Sequence, residues 1–363
     1  LAYPTDKQLN TKYKMFVYMT KRVKFFLDQA DFAANPEGST VADSGLGRSN
    51  PWGVTKNLLA QVIYKQPKSN WLKNPGGPIN TPFIWNYDRL KWIFVSGVTN
   101  SMVQRNLAQG IALVTDFDHD TYETVVSLRK LEQLAHFNQK IVPPVYPEHI
   151  FGSVDKDAAE RGKVLFKSIC LSCHNPFSYL GDDSGSININ YLDVGTDPSY
   201  IEGQLESFYG DNLFRDVLTK FLKKATAKAI EKEKITNPEQ YQEGRLPAVW
   251  RAPESFKYEA KPLYGIWATG PYLHNGSVLN IRELLTPAKY RLKSFYVGSY
   301  EFDPDNIGFK NEEKYYSSKL VTDCKDSCKG NSNSGHEFGV NLPNEDKNAL
   351  IEFLKVYTEQ TQF

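Results

Sequence analysis

One short stretch, Cys170-Leu171-Ser172-Cys173-His174, constrains this chain more than any other. Two cysteines with two residues between them and a histidine directly after form the attachment signature of a c-type haem. The thiols reach the two vinyl groups of one porphyrin as thioethers, and the adjoining imidazole is then held under the iron as an axial ligand. A bare C-x-x-C also serves redox dithiols and zinc sites, but tetrahedral zinc needs two more nitrogen or sulfur ligands. Cys324 and Cys328 would supply them only by folding back across a long insertion, and His174 would be left without a role. The motif is read as the site of one covalently attached haem c.

With 363 residues the chain is long enough for two domains, each with its own core. The spacing of Phe16, Val17, Val23, Phe26 and Leu27 predicts a helix over Lys12 to Ala30. Residues 35–82 are rich in Gly, Pro, Ser and Asn and read as surface loops, with one short helix near Thr55–Ile63. Further helices are expected over Asn100–Leu107 and from about Thr121 to Asn138. The stiff run Val142-Pro143-Pro144-Val145-Tyr146-Pro147 cannot continue a helix, so the boundary falls there. The expected units are 1–146, a cytochrome-like domain without a haem motif, and 147–363, a cytochrome c domain with an insertion at about 181–250. In the second unit Asp155 can cap a helix running into the motif, and a lysine-rich helix is expected around Asn212–Lys234 with a solvated face. The last helix starts near Pro343, with Asn344 as cap, and buries Leu350, Phe353, Leu354 and Tyr357. The fold class expected is mainly α with long loops.

The ligand opposite His174 is restricted by composition. The methionines, Met15, Met19 and Met102, all precede the boundary, so the haem domain holds no thioether of its own. In cytochrome c-type domains the sixth ligand comes from the loop before the final helix. His336, in Gly335-His336-Glu337-Phe338-Gly339, occupies that loop. His274, followed by Asn-Gly and close to Tyr272, is the alternative, and an open site is the third. Tyr272, Arg251 and Lys261 are candidates for hydrogen bonds to haem propionates, against an ordinary packing or surface role for each. A bis-histidine iron is saturated and of lowered potential, which favours electron transfer over chemistry at the metal.

Lys plus Arg number 43 and Asp plus Glu 42, so no net field draws the chain to nucleic acid. No run of about 18 apolar residues occurs, so no transmembrane segment is expected. The first residue is Leu and no signal peptide is visible, which reads as a processed or incomplete N-terminus. Thioether attachment takes place outside the cytoplasm, so a periplasmic or extracellular location is expected, with Cys324 and Cys328 as a small-loop disulfide.

Three segments together carry a resemblance: Arg161-Gly162-Lys163 through the haem motif, the run Tyr264-Gly265-Ile266-Trp267-Ala268-Thr269-Gly270-Pro271-Tyr272-Leu273-His274-Asn275-Gly276-Ser277, and Gly335–Gly339. They resemble the bacterial dihaem cytochrome c peroxidase superfamily, in its rubber oxygenase-like branch. Trp85-Asn86, Thr99-Asn100-Ser101 and Arg105-Asn106 look like the same branch. The resemblance implies that the C-terminal haem is an electron-transfer centre with the His336 position as its distal ligand, and that a haem in the N-terminal domain is catalytic. The family carries two attachment motifs and this chain has one. The segment for the catalytic haem is therefore expected either upstream of Leu1 or discarded, with Trp85, Trp92 and Arg105 as packing residues in the second case.

The favoured reading is an electron-carrying c-type cytochrome that passes electrons to a partner redox protein or a larger complex. The alternative is a peroxidase or dioxygenase whose catalytic haem segment is missing from this chain. A third is a binding or structural subunit whose haem only stabilises the fold.

Overall fold

The computed structural model describes residues 44–50, 53, 76–87, 90–112, 118, 120–175, 190–205, 208–209, 212–238, 257–299, 301–323 and 329–361. The helices predicted over Lys12–Ala30 and Thr55–Ile63 lie outside them, as do Arg251, Cys324 and Cys328. In chain order the elements begin with β1 (Arg48–Ser49), β2 (Ile79–Asn80), α1 (Met102–Ala112), α2 (Leu128–Asn138), α3 (Glu148–Phe151) and α4 (Lys156–Ile169). β3 (Asn190–Leu192), α5 (Ser199–Leu205), β4 (Phe208–Tyr209), β5 (Asn212–Leu213), α6 (Phe214–Lys232) and β6 (Tyr258–Ala260) follow. The last are α7 (Ile281–Leu284), β7 (Ser294–Val297), β8 (Phe302–Asp303), β9 (Gly308–Phe309), β10 (Ser318–Val321) and α8 (Asn344–Val356). The strands form two-stranded antiparallel ribbons, β1–β2, β3–β6, β4–β5, β7–β10 and β8–β9. No described helix is long and apolar enough to cross a membrane.

α2 starts later than its sequence periodicity suggests. From 118 to 126 short polar side chains bond the nearby backbone instead: Asp118 accepts from the amides of Asp120 and Thr121, and Thr124 from that of Val126. The helix then begins where Ser127 accepts from the Lys130 amide and the Glu233 carboxylate accepts from the amides of Leu128 and Arg129. A carboxylate at free helix N–H groups also suits the helix dipole.

α6 turns Leu218, Phe221, Leu222 and Ala225 into a core with Phe94, Val98, Leu107, Tyr200 and Tyr258, while Lys220, Lys223 and Lys224 stay in solvent. The charge alternation marks one solvated face, as read, and the opposite face is core.

A second core lies between α4 and α8. Asp155 caps α4 by accepting from the Ala158 amide, and Phe166 packs on Phe353 and Tyr357. α8 runs from Asn344, and Pro343 rather than Asn344 is its cap residue. The two helices touch at Gly162, where a Cβ would collide with the carbonyl of Ala349. Arg161 binds Glu345 and Asp346 at 2.5 and 3.2 Å on the outside. This pairing fixes the direction in which α4 delivers Cys170.

The proline run lies against this second core. Trp267 Nε1 donates to the Pro144 carbonyl and Trp85 Nε1 to that of Tyr264.

Candidate haem site

α4 ends at Ile169, and the backbone continues for one more turn through the motif. The Cys170 amide donates to Phe166 O, and the amides of Cys173 and His174 donate to Cys170 O at 3.2 and 3.0 Å. Both thiols and the imidazole therefore sit on a single turn. Asn190 Nδ2 covers the open end, donating to the carbonyls of Ser172 and Cys173. His174 Nδ1 donates to the Lys261 carbonyl at 2.7 Å, which selects the tautomer and leaves Nε2 for a metal.

His336 arrives from the other side on a tight loop. Gly335 has φ +72°, and a Cβ there would strike Val194 O and the Gly195 backbone. His336 itself is left-handed at φ +49°, a conformation that costs a non-glycine residue roughly 1 kcal/mol or more. Its amide donates to Val194 O at 2.9 Å, and its Nδ1 is buried with no hydrogen-bond partner. The two rings stand 6.2 Å apart between centroids, at 53°. Metal–imidazole bonds of about 2.0–2.1 Å on each side, with roughly 1.1 Å from nitrogen to ring centre, need centroids roughly 6.2–6.4 Å apart. The spacing of the two ring centres matches that of two imidazoles sharing one metal.

The surroundings suit a large flat apolar group. Cys170 and the half-buried Leu171, Leu263, Leu273, Leu284 and Leu342 border the α4–α8 core, and Phe338 meets the His336 ring edge-on at 5.2 Å. Burial lowers His174 below the usual histidine range, partly offset by the Lys261 carbonyl. Burial, with His174 beside it, pushes His336 down to about 4. Both imidazoles are therefore neutral, the form that binds metal. Burial, then the neighbouring Cys173, pushes the Cys170 thiol up to about 12, opposite to the lowered value of a reactive dithiol. Among the described residues no cluster of three or more His, Cys, Asp or Glu is arranged for a metal, and Cys324 and Cys328, the further ligands a zinc site would need, lie outside them. Two thiols and an imidazole on a single turn, with a second imidazole opposite, fit a haem.

The other candidates are placed differently. His274 is stacked flat on Tyr258 at 3.8 Å and hydrogen-bonded to the Asp197 backbone, so its ring serves packing. Tyr272 is buried and donates its hydroxyl to Ile266 O. The Lys261 ammonium pairs with Glu259 at 2.5 Å over the rings of Phe83 and Tyr87, and the main-chain carbonyl is the part that meets His174. Two features escape a reading of motifs. One is the β3–β6 ribbon, with Lys261 just beyond β6 and Val194 just beyond β3, which supplies a carbonyl to each histidine. The other is Arg291, whose guanidinium is sunk behind the His336 loop. Both act through backbone carbonyls, which carry no residue signature.

Two curated relatives align with most of the chain. One, the uncharacterized protein y4iJ of Sinorhizobium fredii, is 27% identical over 365 residues, covering 86% of this chain and 60% of its own length. Another, y4iM of the same organism, is 25% identical over 287 residues, covering 75% and 60%. The chain thus spans about 60% of the length of these relatives. Residues 257–296, from β6 and Lys261 through His274 to Arg291 and β7, match the family described as RoxA-like, cytochrome c-like. This chain therefore carries a RoxA-like, cytochrome c-like region, which supports kinship with the rubber oxygenase-like cytochromes and a haem-binding function.

Proposed function

We propose that this chain is a c-type cytochrome that carries electrons through one haem, attached at Cys170 and Cys173 and held between His174 and His336. The observation that carries the reading is the pair of half-buried imidazoles whose ring centres stand 6.2 Å apart beside the motif turn. When bound, the haem supplies a one-electron ferric/ferrous couple. Cys170 and Cys173 fix its position, and the Lys261 carbonyl orients His174 and strengthens it as a donor. With a haem bound, His336 would be the second protein ligand and would exclude peroxide and dioxygen from the metal. A fold of two mainly α cytochrome c-like units, a periplasmic or extracellular location, and a partner redox protein or larger electron-transfer complex belong to the same proposal.

The test is the absorption spectrum of the purified holoprotein, with intact mass to count haems. A low-spin spectrum that peroxide and carbon monoxide leave unchanged is expected. High-spin iron that binds either one overturns the reading.

A second reading is favoured by the RoxA-like match together with relatives that extend well beyond this chain. In it the chain is the electron-relay part of a peroxidase or dioxygenase whose catalytic haem is bound elsewhere. Substrate turnover by the longer protein, absent from this chain, distinguishes it.

A further inference from the structure

The deepest cation near the site has no carboxylate hydrogen-bonded to it among the described residues. Arg291 is 3% exposed, and each of its five N–H donors meets a main-chain carbonyl. Nε donates to Thr286 O at 3.0 Å. Nη1 donates to Asn333 O at 2.5 Å and Gly335 O at 2.9 Å. Nη2 donates to Leu284 O and His336 O, both at 3.3 Å. One planar group thus ties the end of α7 to three carbonyls of the loop that delivers His336.

The loop needs such a tie. It holds two consecutive residues at positive φ, Gly335 and His336, and it has no regular secondary structure from 331 to 337. Its upstream half is fixed separately. Asp197 accepts from the amides of Gly330 and Ser332, and Asn275 Nδ2 donates to the carbonyls of Gly330 and Ser332. From Asn333 to His336, Arg291 contributes three of the bonds that oppose recoil of the strained turn. Hydrogen bonds from a charged donor are also the strong ones.

We propose that Arg291 is a positioning residue for axial ligation: its guanidinium fork holds His336 at the distance from His174 that keeps the iron six-coordinate. The proposal rests on the bis-histidine reading and deepens it. Without the fork the loop relaxes, His336 withdraws, and the iron opens to external ligands. Lysine keeps the charge but has three donors on a flexible stem, so it cannot reproduce the fork.

The holoprotein is tested as Arg291→Gln, Arg291→Lys and His336→Ala, with the unaltered chain as reference. The readouts are spin state, the rate of carbon monoxide binding to the reduced protein, and the response to added imidazole. Loss of charged hydrogen bonds predicts carbon monoxide binding about ten- to a hundredfold faster in Arg291→Gln, with a high-spin fraction that imidazole returns to low spin. Arg291→Lys falls between, and His336→Ala marks the open limit. A merely structural arginine would lower the melting temperature without changing the carbon monoxide rate. An Arg291→Gln protein that stays low-spin at the reference rate overturns the proposal, and so does a high-spin form that imidazole fails to convert. If Arg291→Gln does not take up haem, Arg291→Lys decides: no acceleration there overturns the proposal. A low-spin His336→Ala protein sinks the bis-histidine reading itself, whereas a high-spin His336→Ala beside an unaffected Arg291→Gln sinks only the clamp.

Discussion

The carbonyls of Lys261 and Val194 leave opposite ends of one antiparallel ribbon, and each accepts a hydrogen bond from one of the two facing histidines. His174 gives its ring Nδ1–H to Lys261, and His336 gives its main-chain N–H to Val194. A ribbon of three residue pairs therefore references both imidazoles to one rigid body. The ribbon is in turn held by the first half of the chain, through the Glu259 amide to Val95 O and the Tyr191 hydroxyl to Trp92 O.

Because the motif turn carries both thiols, Cys170→Ser combined with Cys173→Ser should abolish covalent attachment. Acid–acetone extraction should then release all the porphyrin, and intact mass should match the bare chain. Haem that resists extraction from this variant would refute attachment at these cysteines.

Gly335→Ala puts a methyl group against Val194 O and the Gly195 backbone at a positive φ. The expected cost is about 1–3 kcal/mol, with a high-spin fraction as His336 is pushed from its place. Thermal melting and the visible spectrum report the two effects, and neither should match the unaltered protein.

The side chain of Lys261 is assigned to Glu259 and its carbonyl to His174. Both side chains of the pair are buried, at 9% and 5% exposure. Lys261→Met alone should cost about 3 kcal/mol by stranding a buried carboxylate, and adding Glu259→Gln should restore most of it. The double variant should keep its full haem content, measured by pyridine haemochrome. A double variant that folds but loses haem would show that the ammonium serves the porphyrin after all.

His274 gives a pH dependence of known sign. Burial pushes it from the ordinary 6.5 down to about 4, against a smaller opposing pull from Asp197. Between these values the unfolded chain binds the proton and the folded chain does not, so stability falls as pH drops from 6.5 towards 4 and is unaffected above 6.5. The slope is about 1.4 kcal/mol per pH unit, roughly 3 kcal/mol across the window. His274→Phe keeps a ring on Tyr258 and should flatten that part of the profile. Urea midpoints from pH 7.5 to 4.5 measure it, and parallel profiles for the two proteins would contradict the assignment.

The sequence by itself marked the candidate haem turn, since thioether chemistry demands two thiols and an imidazole at fixed short spacing. It also determined the two helices that frame that turn, because Asp155, the apolar face of α4 and the Leu350–Tyr357 stripe are local, periodic signals. His336 was legible as a ligand candidate from its place before the last helix. Tertiary structure alone decided that His336 rather than His274 faces His174, because only packing sets His274 on Tyr258. It alone decided the start of α2, where the Glu233 carboxylate reaches across from the end of α6. It also gave Lys261, Val194 and Arg291 their roles, for a physical reason. Their contributions run through main-chain carbonyls, which every residue has, so only the path of the folded backbone determines which carbonyls meet a histidine.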